Sequence, residues 1–130
     1  GFPIIYPIHP RARKRMVLSG ITVNGGVKII EPLDYLGFLM LESKARLVLT
    51  DSGGVQEETC ILRVPCVTLR YNTERPETIE VGSNILAGTE PYEIVKKVRL
   101  MLNVDRCWDN PFGDGRAGLR IVKVLRDHYG

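Results

Sequence analysis

The sequence predicts an α/β fold organised around a doubly wound parallel sheet. Two observations carry this expectation. Short apolar runs alternate along the chain with segments of helical character, and the first three runs are rich in Val, Ile, Leu and aromatic residues without polar alternation, as in strands covered on both faces. The chain has 130 residues, 44% of them apolar and 25% charged, which suits one domain with a core and is too short for two. No apolar run approaches the roughly 20 residues that span a bilayer, so no membrane association is expected. Thirteen Gly and eight Pro are scattered, as in a fold with many turns.

The elements follow in order. Phe2 to Tyr6 reads as the first strand and Val27 to Ile30 as the second. Asp34 can cap a helix whose apolar face is Tyr35, Leu36, Phe38, Leu39 and Leu41. Arg46 to Thr50 is the third strand, and Gly54 to Ile61 has the length of two helical turns. Cys66 to Leu69 is the fourth strand, and Pro76 suits the first position of the helix after it. Asn84 to Ala87 is the fifth. Thr89 can cap a helix with Pro91 in its first turn and Ile94, Val95, Val98, Met101 and Leu102 along one side, ending near Asn103. After a turn cluster from Asn110 to Gly115, Leu119, Val122, Val124 and Leu125 predict a last helix running to about Asp127. The chain opens with a strand-like run and no initiator Met, which reads as a cut start.

The formal net charge is +3, and the excess is local. Arg11, Arg13, Lys14, Arg15 and Lys28 precede the first acid, Glu31, while the remainder carries 13 basic residues against 15 acidic. A domain binding nucleic acid through a whole face is normally more basic, so the Arg11 to Arg15 cluster reads as a solvated helix end or an anion-facing edge, and nucleic acid is not an expected partner. Cys60, Cys66 and Cys107 are odd in number and lack CxxC spacing, and only His9 and His128 accompany them. Neither a disulfide framework nor a zinc site is expected, and a reducing, cytoplasmic setting is. His128 reads as a solvated residue favouring a helix dipole.

Ligands of such sheets gather outside the carboxyl ends of the strands. There the third strand turns through Thr50, Asp51, Ser52, Gly53 and Gly54 into a helix N-terminus, whose unpaired N–H groups favour an anion. The pattern matches neither the P-loop nor the dinucleotide fingerprint, and spacing alone equally fits a plain tight turn capped by Ser52. Glu57 and Glu58 follow in the first turns, where one carboxylate simply complements the dipole. Glu58 shares a face with Gly54 and is placed to accept from the two hydroxyls of a ribose, with Glu57 about 100° away. Arg75, in the loop after the fourth strand, can hold a diphosphate or pair with Glu74 or Glu77 on the surface; Arg70 has the same chemistry with weaker placement. His9 follows the first strand at the same edge, as a structural residue or one facing the site.

Four stretches taken together are specific. Glu31-Pro32-Leu33-Asp34-Tyr35, Thr50-Asp51-Ser52-Gly53-Gly54-Val55-Gln56-Glu57-Glu58, Thr73-Glu74-Arg75-Pro76-Glu77 and Asn110-Pro111-Phe112-Gly113-Asp114-Gly115 closely resemble, in order and spacing, the non-hydrolysing UDP-N-acetylglucosamine 2-epimerases. The resemblance covers essentially all of residues 1–130 and matches the C-terminal, Rossmann-like half of a two-domain (GT-B) architecture. It implies interconversion of UDP-N-acetylglucosamine and UDP-N-acetylmannosamine by loss of UDP to a glycal and its re-addition, with no cofactor and no metal. It further implies that Ser52, Gly53 and Gly54 hold the diphosphate, Glu58 the ribose and Arg75 the phosphates. The backbone around Phe38, with Leu33, meets the uracil, and His9 lines the cleft near the sugar nucleotide. The catalytic carboxylates and a His-Arg-containing motif belong to the family's N-terminal domain and to the segment preceding this one, so no catalytic residue is expected here. A homodimer is implied as well. Pro10 to Arg15 stands where many bacterial relatives have an Asn-containing stretch, which speaks against a regulatory second nucleotide-sugar site near His9. Leu33 stands where some have Gln, which points to main-chain recognition of uracil. The rival expectations are a UDP-sugar glycosyltransferase or hydrolysing epimerase using the same cradle, and a module that binds UDP without turnover.

Overall fold

A computed structural model describes residues 2–130. In chain order the elements are β1 (Ile4–Pro7), α1 (Pro10–Leu18), β2 (Val27–Ile30), α2 (Tyr35–Ser43), β3 (Val48–Thr50), α3 (Gly53–Ile61), β4 (Cys66–Thr68), α4 (Pro76–Glu80), β5 (Asn84–Leu86), α5 (Pro91–Met101) and α6 (Ala117–Tyr129). All strand pairings are parallel, as the unalternating apolar runs predicted: β1 pairs with β2, and β4 lies between β3 and β5. The ladder breaks between β2 and β3. No helix among the described residues is long and apolar enough to cross a membrane.

The chain forms two compact units, one up to Met40 and one from Leu41. In the first, β1 and β2 run in register from Ile4 opposite Val27 to Pro7 opposite Ile30, and Ile8, which follows β1 and donates its N–H to the Ile30 carbonyl at 3.1 Å, is buried. The expectation that β1 is covered on both faces is corrected, since Ile4, Ile5 and Tyr6 are all exposed. An apolar run identifies a strand, but what covers it is decided by elements elsewhere. Helix α1 begins at Pro10, whose fixed φ suits a first helical position, and carries the basic cluster on its surface with Arg13 paired to Glu31 at 2.6 Å.

In the second unit α3 and α5 pack on β4, and Val67, Ala87 and Met101 form the core, joined by Leu47, Ile85, Ile94, Val98 and Val104. Full burial of a side chain such as Val67 contributes about 1.5–3 kcal/mol. The C-terminal end of α3 is fixed by Arg63, which takes the left-handed conformation at φ 57° where glycine is usual, while the Trp108 indole N–H donates to the Cys60 carbonyl at 2.9 Å.

Two helix readings are corrected. Helix α5 has Glu90 at its N-cap, not Thr89, because the Thr89 hydroxyl is engaged by the Tyr71 hydroxyl at 3.2 Å. On α2, Tyr35 and Leu36 of the expected apolar face are exposed and Phe38, Leu39 and Leu41 are half-buried, while the buried position is taken by Glu42.

Candidate functional site

Ser52 caps α3 as its sequence position predicted. Its backbone is extended, its Oγ accepts from the Val55 N–H at 3.5 Å, and its own N–H donates to Thr50 Oγ1 at 3.0 Å. Gly53 and Gly54 are the first residues of the helix, so the N–H groups that have no partner within a helix's first turn lie on backbone with no side chain over it.

Arg75 comes to this turn from the β4–α4 loop. A β-carbon on Gly53 would lie 3.8 Å from the Arg75 guanidinium carbon and 3.8 Å from Glu74 Oε2, so the cation sits beside the positive end of α3. Its Nε donates to Glu57 Oε1 in an ion pair, and Nη1 donates to the Glu74 carbonyl at 3.0 Å. The sequence alternative of a pair with the Glu74 or Glu77 carboxylate is thus replaced by a third partner, Glu57. This carboxylate offsets the repulsion between the guanidinium and the helix dipole. Arg70 is turned to the surface in a bidentate pair with Glu74 at 3.0 and 2.8 Å, with Asn72 at 3.0 Å, and the pairing holds the Glu74 carboxyl below its ordinary pKa.

What fixes the two loops against each other is a buried polar cluster. The Gln56 side chain, with no exposed surface, donates through Nε2 to the Ser52 carbonyl at 3.2 Å. Its Oε1 accepts from the Thr73 hydroxyl and from Asn84 Nδ2 at 3.1 Å. Thr73 Oγ1 in turn accepts from the Arg75 N–H at 3.0 Å, the Arg75 carbonyl accepts from the Thr78 hydroxyl at 2.7 Å, and Thr78 Oγ1 accepts from Asn84 Nδ2 at 3.0 Å. Thr68 on β4 donates to Asn84 Oδ1 at 2.8 Å, which anchors the ring to the sheet. Buried polar groups that are mutually satisfied rigidify what they join. The turn at Ser52 and the main chain of Arg75 therefore form one rigid assembly.

Glu58 is half-buried and turned about 100° around α3 from Glu57, the rotation between neighbouring helical residues. It faces Glu42, whose carboxyl is pushed up to about 7, first by burial and then by Glu58. Ser52, Gly53, Gly54, Glu58 and Arg75 thus all belong to α3 and the loop beside it. Leu33, Phe38 and His9 belong to the first unit. There Asp34 caps α2, with Oδ1 accepting from the Gly37 N–H at 2.7 Å and the carbonyl accepting from the Phe38 N–H at 2.9 Å. Leu33 is exposed beside the cap. His9 is the N-cap of α1, with Nδ1 accepting from the Arg11 N–H at 3.2 Å, which leaves the neutral ring's proton on Nε2.

The family model described as UDP-N-acetylglucosamine 2-epimerase matches residues 1–126. The chain belongs to the UDP-N-acetylglucosamine 2-epimerase family. Among curated relatives of that name, the protein of Methanocaldococcus jannaschii is 58% identical over 126 residues, covering 94% of this chain and 34% of the relative. The Escherichia coli K12 protein is 38% identical over 134 residues, covering 96% and 35%. The crystal structure of the M. jannaschii UDP-GlcNAc 2-epimerase in complex with UDP-GlcNAc and UDP superposes with a TM-score of 0.90 at 57% identity, covering 98% of this chain and 36% of that one. The Neisseria meningitidis enzyme bound to UDP-GlcNAc gives 0.77 at 34% identity, covering 97% and 36%. The chain therefore spans about a third of the length of the epimerases it matches, and its α/β fold is that of the Rossmann-like part of these two-domain proteins.

Three residues of the site were not found by sequence reading. Glu57 was set aside by its angle from Glu58, yet that angle turns it to Arg75. Gln56 lies inside a recognised motif, and a buried Gln one turn after a cap is a signal that such a side chain needs partners. Glu42 was hidden in a helix read for its apolar residues.

Proposed function

We propose that residues 1–130 are the UDP-binding domain of a UDP-N-acetylglucosamine 2-epimerase, interconverting UDP-N-acetylglucosamine and UDP-N-acetylmannosamine. The observation that carries this is the Arg75 guanidinium lying beside Gly53 at the head of α3, in a loop locked to Ser52 through Gln56. When the C1–O bond of the sugar nucleotide breaks, negative charge grows on the departing diphosphate. Donors already fixed around it bind that state more strongly than the ground state, so the Ser52–Gly54 backbone and Arg75 lower the barrier as well as hold substrate. Glu58 takes the ribose hydroxyls, and the main chain at Leu33 and Phe38 takes the uracil. His9, with Nε2 as its donor, lines the sugar side. The carboxylates for proton transfer at C2 come from the N-terminal domain of the same enzyme, which in this reading works as a cytoplasmic homodimer.

Calorimetry on the full-length protein tests the site. UDP binds, and UMP binds much more weakly because it lacks the second phosphate. Arg75→Ala weakens UDP by about 10- to 100-fold, the equivalent of a charge-assisted contact of roughly 1.5–3 kcal/mol, without changing the circular dichroism spectrum. Glu58→Ala weakens UDP and uridine alike. Equal affinities for UDP and UMP, or unchanged affinity in both variants, would defeat the assignment. Release of free UDP and sugar instead of the epimer would point to a hydrolysing enzyme on the same cradle.

A further inference from the structure

Glu42, near the C-terminal end of α2, is 2% exposed, and neither of its carboxyl oxygens has a hydrogen-bond partner of ordinary geometry. Among the described residues, the titratable groups that interact with its charge include Glu58 from α3 and Cys66 from β4, the latter itself close to Cys60. A bare carboxylate in such surroundings is costly, whereas the protonated acid is tolerated and then carries one O–H donor that needs an acceptor. Burial accordingly pushes the Glu42 carboxyl up to about 7, and the neighbouring negative charge of Glu58 pushes the same way. Two neighbouring carboxyls repel when both are charged, and a proton held between them relieves that repulsion.

We propose that Glu42 is a positioning residue, a buried acid that donates its proton in a hydrogen bond to the Glu58 carboxylate and so fixes which lone pairs Glu58 offers to the two hydroxyls of a nucleoside. The inference rests on the reading that Glu58 takes the ribose of UDP. With Glu42 protonated, one Glu58 oxygen is occupied and the side chain has a single orientation. Ionisation of Glu42 removes the donor and sets a second negative charge beside the first, next to a ligand that is itself anionic. Nucleotide affinity therefore has a component that declines as pH rises through neutrality.

The test is UDP calorimetry on the full-length protein between pH 5.5 and 8.5 for wild type, Glu42→Gln, Glu42→Leu and Glu58→Ala, together with carboxyl 13C NMR of glutamate-labelled wild type and Glu42→Gln. Gln keeps a donor that cannot ionise, Leu removes it, and the ionisation of UDP itself is common to all. The affinity of wild type relative to Glu42→Gln falls about tenfold between pH 6 and 8.5, as expected on loss of one charge-assisted hydrogen bond, while Glu42→Leu is weaker than Glu42→Gln at pH 6. In the spectra one glutamate titrates near neutrality and disappears in Glu42→Gln, and that substitution moves the Glu58 carboxyl resonance. A pH-independent ratio of wild type to Glu42→Gln, with UDP bound and Glu58→Ala weakened, overturns the inference and leaves the UDP site standing. If UDP does not bind at all, or Glu58→Ala binds it unchanged, the site reading fails and takes the ribose role with it; a Glu58 resonance indifferent to Glu42→Gln then rejects the shared proton as well.

Discussion

Cys66, Val67 and Thr68 of β4 have no exposed surface, whereas Ile4, Ile5 and Tyr6 of β1 are 49%, 44% and 42% exposed. The two strands look alike as sequence, being short, apolar and parallel to a neighbour. What differs is the company. β4 lies between two strands and beneath α3 and α5, while β1 pairs with β2 alone. Among the described residues, Ile8 is the one buried apolar residue of the first unit, against a core of Val67, Ala87 and Met101 in the second. The difference extends to the site. The part built on the second unit hangs from a closed ring of buried hydrogen bonds, and the residues of the first unit hang from single caps at Asp34 and His9. Apolar packing makes a polar ring worth burying, because only in a dry surrounding does each bond in it become stiff.

The ring is therefore where the contrast breaks most readily. Gln56→Leu preserves approximate volume but removes one of two partners from the Ser52 carbonyl, the Thr73 hydroxyl and Asn84 Nδ2, which keep the residue 56 main-chain N–H, the Arg75 N–H and Thr78 Oγ1. With each of these groups still bonded to another partner, the cost is about 1–3 kcal/mol in all. Urea unfolding of the full-length protein measures it through the midpoint at constant slope. A cost under about 1 kcal/mol would mean that the two loops are held by something other than Gln56. Because Arg75 loses its connection to the Ser52 turn, calorimetry on the same variant is a companion test of the proposed UDP site, with weaker UDP binding as the expected outcome.

Local chemistry was legible in the sequence, and its long-range pairings were not. Ser52 and Asp34 cap the helices they precede, and Pro76 and Pro91 each open one, because caps and first-turn prolines act within three or four residues. The strands came within a residue or two of their ends, since short β-rich apolar runs mark strands whatever covers them. Thr89 misled because a cap residue can be claimed from outside its helix, here by Tyr71 from 18 positions away, whose ring also lies over Gly88 in its left-handed conformation. Glu57 with Arg75 and Gln56 with Asn84 carry no periodicity that would betray them. Glu42 is the sharpest case, since a single acid inside an apolar helical stretch reads as its solvent side and turns out to be its buried one.

A smaller effect is expected where a single contact does the holding. In Asp34→Ala the Gly37 N–H loses its acceptor and α2 loses the carboxylate at its positive end, for about 1 kcal/mol of stability. Asp34→Asn, which keeps an acceptor, recovers most of it. The same denaturation series ranks the two against Gln56→Leu, and an Asp34→Ala cost as large as the Gln56→Leu cost would erase the contrast between a cap and a closed ring.

The smallest effect falls on β1 and settles what the comparison means. Ile5→Thr keeps a β-branched side chain and the ladder to Lys28, and removes apolar surface that is already 44% in contact with solvent. In the 130-residue chain the cost is about 0.5 kcal/mol or less, as for surface substitutions generally. The same change in the full-length protein separates two causes. If it again costs about 0.5 kcal/mol, β1 is an exposed strand by nature, and its apolar sequence serves only its pairing with β2. If it costs about 2 kcal/mol or more, the amount a buried side chain contributes, then β1 is covered by a segment outside these residues, and the reading of its sequence as a strand buried on both faces is right for the whole molecule.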